Sequence, residues 1–136
     1  MLSKAYGELM GRLYWDKHGM TSVFLRIGSC RAEPTDARML STWLSYRDLI
    51  SLVERSTLAS VEGCFPIWAA SKNSRMTWWR NDTRKKLGWE PQDSADGFTE
   101  RLTRETSGDE VTERYQGGVF CSLDYSRTVP PPKAQG

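Results

Sequence analysis

Apolar residues recur with helical spacing at the start of the chain. Tyr6, Leu9, Met10, Leu13 and Tyr14 fall at i, i+3, i+4, i+7 and i+8, one face of an α-helix. Ser3 supplies a cap and Gly19 a stop. Residues 22–27 (Ser-Val-Phe-Leu-Arg-Ile) read as a short buried strand ending at Gly28-Ser29. Residues 31–38 are polar, contain Pro34 and read as a loop. Residues 39–44 read as another short strand. Ser45 then opens a second helix, with Tyr46, Leu49, Ile50, Val53 and Thr57 on one face. Ser45-x-x-Asp48 resembles a capping box, with Asp where Glu or Gln is usual. Residues 64–70 read as a further buried strand, and Pro66 argues for an edge position or a strand start. Asn81-Asp82 caps a short helix through Leu87 that Gly88 closes, and Ser94 caps another holding Phe98 and Leu102. Residues 103–113 are polar and expected to be mobile, residues 116–121 return to apolar character, and Pro130-Pro131-Pro132 marks a disordered tail.

Helix, turn, strand and small residues in this rhythm predict an α/β fold. Ligands of open α/β sheets bind beyond the carboxyl ends of strands, where Gly28, Ser29 and Cys30 fall. About three strands make a poor, incomplete parallel sheet. No internal repeat is present, and neither GxGxxG nor GxxxxGK[ST] occurs.

Composition narrows the chemistry. The 136 residues suit one domain, and 38% hydrophobic content with six tryptophans suffices for a core. A net charge of +2 without basic clusters gives no case for nucleic acid. One histidine, His18, rules out His-His metal sites, and no residue is assigned to a metal. Cys30, Cys64 and Cys121 form no CxxC, which excludes a zinc knuckle or thioredoxin-like motif. Their odd, sparse number fits a reducing compartment, so a cytoplasmic location is expected. No apolar run reaches the roughly 18 residues of a membrane span, and the start has no signal core.

Several segments in order resemble the C-terminal half of an extended short-chain dehydrogenase/reductase, of the NAD-dependent epimerase/dehydratase kind. Within that family the resemblance is to the NAD-dependent uronate (hexuronate) dehydrogenases. The segments are Ser3-Lys4-Ala5-Tyr6-Gly7-Glu8, LRIGSC at 25–30, Glu33-Pro34 and RMLSTWLS at 38–45. Asp48, Trp78-Trp79, LGWEPQD at 87–93 and RYQGGVF at 114–120 follow. SKxxGE alone is shared widely; the RIGS…EP…RMLSTWLS block is more specific.

The resemblance implies the C-terminal portion of a Rossmann-type fold with a small substrate-binding lobe. It implies hydride transfer from C1 of a hexuronic acid to NAD+, giving an aldarolactone. It also implies a Tyr-x-x-x-Lys pair: the lysine lowers the tyrosine pKa and holds the nicotinamide ribose, and the phenolate takes the substrate proton. Lys4 matches that lysine. Its tyrosine belongs four positions earlier, one residue before Met1, and no other tyrosine here takes the role. The earlier serine and the Gly-rich turn are not among these residues either. The chain is therefore expected to be a fragment, inactive alone. The implied division is 1–28 as the end of the nucleotide-binding domain, 29–121 as the substrate-binding region and 122–136 as a disordered tail.

The resemblance assigns Lys4 and Ile27 to NAD, and Ser29, Arg38 and Phe120 to a small sugar acid. It also implies a homo-oligomer through the first helix. Each residue has a plainer reading. Arg38 could be a solvated loop arginine, although a planar guanidinium suits a carboxylate held by two parallel hydrogen bonds. Gly28-Ser29 could be only a turn, Ile27 a core side chain, and Lys4 an exposed first-turn lysine that the helix dipole disfavours. Phe120 is either a pocket-closing aromatic or an anchor for the tail. Trp43, Trp78, Trp79 and Trp89 are assigned to the core, His18 to the surface, and the cysteines to inert thiols. Two other functions stay open: a sugar-nucleotide epimerase or dehydratase, and a non-catalytic module that pairs with an intact paralogue.

Overall fold

Two short parallel strand pairs organise the chain. The computed structural model describes residues 2–75, 78–79 and 83–128. Helix α1 (Leu2–His18) precedes strands β1 (Ser22–Ile27) and β2 (Ser29–Cys30). Helix α2 (Met39–Thr42), strand β3 (Trp43–Leu44), helix α3 (Tyr46–Leu58) and strand β4 (Cys64–Ala69) follow. The remainder is α4 (Arg84–Leu87), a 3-10 turn (Asp96–Phe98), α5 (Thr99–Leu102), α6 (Glu110–Arg114) and α7 (Val119–Ser122).

β1 lies parallel to β4, from Ser22 opposite Cys64 to Ile27 opposite Ala69. β2 lies parallel to β3, with Ser29 opposite Trp43. Parallel neighbours require a crossover, and α3 occupies the one between β1 and β4. β4 alternates: Phe65, Ile67 and Ala69 are buried, whereas Cys64, Pro66 and Trp68 are half-buried. The buried face joins Val23, Leu25, Leu44, Leu52, Leu87 and Trp89 in the main core. A second cluster gathers Met39, Leu40, Trp43, Ala95 and Leu102. The result is α/β with an incomplete parallel sheet, and β1 coincides with the expected strand.

Four expectations need correction. Residues 39–44 form a helical turn and then a two-residue strand. Asp36 Oδ1 accepts the Met39 N–H at 2.9 Å and starts that turn, and burial all round removes the alternation a strand would show. The end of the 103–113 stretch is helical, since α6 begins at Glu110, where Asp109 caps it by accepting the Thr112 N–H at 3.0 Å. On α3, Leu49 of the expected face does pack against the main core, beside buried Asp48 and Leu52, while Tyr46, Ile50 and Val53 are exposed. Trp43 and Trp89 are core, but Trp78 and Trp79 are only half-buried. Asn81, Asp82 and the triple proline lie outside the described residues.

Ser45 does cap α3, accepting the Asp48 N–H at 3.0 Å. Asp48 itself is fully buried. Its Oδ1 accepts the Gln92 N–H at 2.8 Å, and its Oδ2 accepts the Ser71 hydroxyl at 2.6 Å and the Asp93 N–H at 3.1 Å. Buried Asn73 completes the network: its amide nitrogen donates to the Ser41 and Trp43 carbonyls, and its oxygen accepts the Ala95 N–H. Asp48→Asn turns an NH2 donor toward these donors whichever way the amide is oriented. We expect it to lower unfolding free energy by about 2–4 kcal/mol, since each orphaned buried donor costs about 1–3 kcal/mol. The check is a urea midpoint that falls at unchanged m. A change within about 0.5 kcal/mol, the scale of a surface substitution, would contradict it.

Candidate functional site

β1 ends at Ile27, and the chain must then pass the backbone of Thr42. A Cβ at position 28 would lie 2.0 Å from the Thr42 carbonyl oxygen, so only glycine fits. This close approach brings Ser29 Oγ within 3.0 Å of Thr42 Oγ1. The strand end opens into a cleft of about 640 Å3, where Ile27, Ser29, Arg38 and Phe120 meet with Thr42 and Tyr115. Four of the five residues singled out from sequence thus share one cavity. Asp36 also lines it. Thr42 carries no local signal that singles it out, whereas the Asp36-x-x-Met39 spacing is that of a helix cap and was readable in the sequence.

Arg38 is no solvated loop arginine. Its Nη1 donates to the Thr112 carbonyl, and its Nη2 donates to the Tyr115 and Gln116 carbonyls at 3.0 Å each. The guanidinium lies 4.9 Å above the Trp78 ring, a cation–π arrangement. Trp78 is held in turn by its indole N–H, which donates to the Arg114 carbonyl at 3.1 Å. Gly118, at φ +57°, passes beside the group: a Cβ there would come within 3.1 Å of Nη2. Phe120 is 80% exposed, so its ring is open to solvent rather than anchored in the core. Burial pushes the thiol of half-buried Cys30 up, which keeps it protonated and inert.

Lys4 lies apart from this cleft, in a groove of about 640 Å3 between α1 and β1 that Glu8 and Arg26 also line. Ile27 lines both depressions, so they meet at the strand end. Arg26 grips Glu8 through Nε at 2.8 Å and Nη2 at 2.6 Å, and it sits 4.7 Å above the Trp68 ring. Trp68 stacks on Trp79 at 5.2 Å. These contacts tie α1 to the strand, yet no residue of α1 is buried. Its apolar face looks outward: Tyr6, Leu9 and Leu13 are all more than half exposed. A third depression, lined by Lys72, Arg84, Lys85 and Trp89, holds none of the expected site residues.

Gly28→Ala is expected to cost at least about 2 kcal/mol, because the clash is with backbone rather than a flexible side chain. That corresponds to a thermal midpoint lowered by roughly 6 °C or more.

The hydrogen bond from Arg26 holds the Glu8 carboxyl below its ordinary value, with partial burial opposing it. A lowered folded value means the pair stabilises α1 fully above the unfolded pKa near 4.5. That contribution is lost as pH falls through the folded midpoint. A carboxyl NMR titration should place Glu8 below the usual carboxylate range, and Arg26→Gln should return it there. An ordinary midpoint with Arg26 intact would exclude the pair in solution.

No family profile matches the chain. A uronate dehydrogenase from Agrobacterium fabrum is 43% identical over 122 residues, which are 88% of this chain and 46% of that protein. One from Pseudomonas putida is 40% identical over 122 residues, 88% of this chain and 45% of that protein. Among solved structures, a uronate dehydrogenase mutant from Agrobacterium tumefaciens complexed with NAD aligns with a TM-score of 0.79 at 42% identity. That alignment covers 89% of this chain and 46% of the other. The chain therefore spans just under half the length of the relatives it matches. Its motifs, its parallel strands and these alignments agree: the chain is homologous to the uronate dehydrogenases and consistent with a C-terminal portion of one, a partial Rossmann-type fold.

Proposed function

We propose that the chain is the substrate-recognising part of an NAD-dependent dehydrogenase that oxidises a hexuronic acid, glucuronate or galacturonate, at C1 to the aldarolactone. One observation carries the reading. Ile27, Ser29 and Arg38 line a single cleft at a strand's carboxyl end together with Phe120, which comes from the far end of the chain. The lining suits a sugar acid: Arg38 offers a cation for the carboxylate, and the paired hydroxyls of Ser29 and Thr42 can donate to and accept from sugar hydroxyls.

Oxidation at C1 removes the hydroxyl proton to a base and a hydride, with its electron pair, from the carbon. NAD+ is the hydride acceptor when bound. Lys4 and Ile27 fit its nicotinamide–ribose end, because both line the groove that reaches the strand end. An ammonium there donates to ribose hydroxyls and lowers the pKa of a neighbouring phenol. Nothing in the sequence fits the pyrophosphate, since no Gly-rich turn occurs. In this reading the base is a tyrosine four positions before Lys4. The chain works only with a polypeptide segment that brings this tyrosine and the dinucleotide-binding turn, and it is inactive alone. The outward apolar face of α1 supports pairing with a second copy.

The 136-residue chain with NAD+ and glucuronate should produce no absorbance at the NADH wavelength. Fusion to the dinucleotide-binding half of the Agrobacterium relative should restore turnover. In that fusion, Arg38→Ala should lower kcat/KM for the uronate by about 2–4 kcal/mol, as for a lost charge-assisted pair, and leave NAD+ affinity unchanged. Equal losses for both would count against the assignment of Arg38, and no turnover by any fusion would count against the enzyme reading.

A further inference from the structure

We infer that Arg38 is a latch: a carboxylate that takes its guanidinium fork must release the C-terminal wall of the cleft, so ligand binding and the position of that wall are coupled. The inference rests on the proposed function only for the substrate class.

A guanidinium carries five N–H donors, one on Nε and two on each Nη. It holds a carboxylate by two adjacent donors, on either the Nε/Nη2 edge or the Nη1/Nη2 edge. Both edges include Nη2. The two forked arginine–carboxylate pairs described in this chain, Arg26 with Glu8 and Arg47 with Asp93, both use Nε and Nη2. At Arg38 the two hydrogens of Nη2 go to the carbonyls of Tyr115 and Gln116, at 3.0 Å each. One hydrogen of Nη1 goes to the carbonyl of Thr112. Neither edge can therefore receive both oxygens of a carboxylate until a loop carbonyl leaves.

The exchange is favourable in direction. A charge-assisted bond to a carboxylate is roughly twice as strong as one to a neutral carbonyl. The released groups are not stranded: Gln116 is exposed to water, and the Tyr115 carbonyl keeps the Gly118 N–H at 2.9 Å. Trp78 holds the guanidinium from below without using a donor, so the fork stays aimed during the exchange. The displaced segment leads through Gly118 to Phe120, which lines the same cleft. Arrival of the acid group thus frees the wall that carries this aromatic ring.

Hydrogen exchange read by mass spectrometry on the 136-residue chain tests the latch, comparing residues 111–123 with β4 as the internal reference. The probes are sodium acetate, sodium glucuronate, glucose, and sodium chloride at matched ionic strength. Without ligand, Arg38→Ala should speed exchange in 111–123 by about tenfold, as expected for losing a net contribution near that of one or two hydrogen bonds, and leave β4 unchanged. Acetate and glucuronate should speed the same segment in the unmodified chain, whereas glucose and chloride should not. Arg38→Lys, which keeps the charge but has no fork, should start fast and ignore both carboxylates; it carries the comparison should Arg38→Ala unfold the chain. Exchange that neither carboxylate speeds, or that neither substitution changes, overturns the latch. A response to acetate but not to glucuronate supports the latch and removes the uronate reading.

Discussion

A buried aspartate that makes no ion pair among the described residues holds the frame of this chain together. Asp48 is fully enclosed and answered by one hydroxyl and two backbone N–H groups. Those donors come from the segment after β4 and from residues 92–93, and Asp48 itself sits on α3. Ser71 then donates its N–H to the Trp43 carbonyl, and Asn73 reaches the Ser41 and Trp43 carbonyls. The network fixes α2 and β3 against the main core. α2 ends in Thr42, whose hydroxyl meets Ser29, and Arg38 immediately precedes it. The cleft geometry thus descends from a satisfied polar network, which specifies one arrangement because a half-satisfied one would be costly.

Two arginines show how context decides the use of one side chain. Arg26 and Arg38 each lie over a tryptophan ring. Arg26 spends its fork on Glu8, so its charge is neutralised and the pair serves to attach α1. Arg38 spends its donors on neutral carbonyls, which satisfy hydrogen bonds without cancelling charge. No ion pair of Arg38 occurs among the described residues, so its positive charge remains available to an anion in the cleft. The difference is between fastening and recognition, and only the identity of the acceptors sets it.

The extent of the chain and its exposed surfaces belong together. A two-stranded parallel sheet is smaller than the usual four to six strands. Parallel sheets are normally covered on both faces, yet α1 covers one face here without burying any of its own residues. Tyr6, Leu9 and Leu13 remain in water. The relatives are about twice as long, which gives this unspent apolar surface a physical context.

What the sequence determined by itself was local. The strand over residues 22–27, the Ser45 cap and the helix end before Gly19 follow from side-chain periodicity, a capping oxygen and a missing Cβ, which act within a few residues. The motifs around Lys4, Ile27, Ser29, Arg38 and Phe120 named the candidates, and four of them do share one cavity. Tertiary structure decided the rest. The inward face of α3 carries Leu49 and Leu52 into the core together with Asp48, whose bonds to residues far along the chain no helical periodicity encodes. Residues 39–42 start their turn on a local cap from Asp36, but their burial on every side comes from tertiary packing and removes the alternation that tells a strand from a helix. Trp78 became the floor beneath Arg38, and the loop carbonyls became its ligands, through contacts that no local spacing encodes. Short-range sterics and capping are written in neighbouring residues; hydrogen bonds and ring contacts across long separations exist only once the chain has closed on itself.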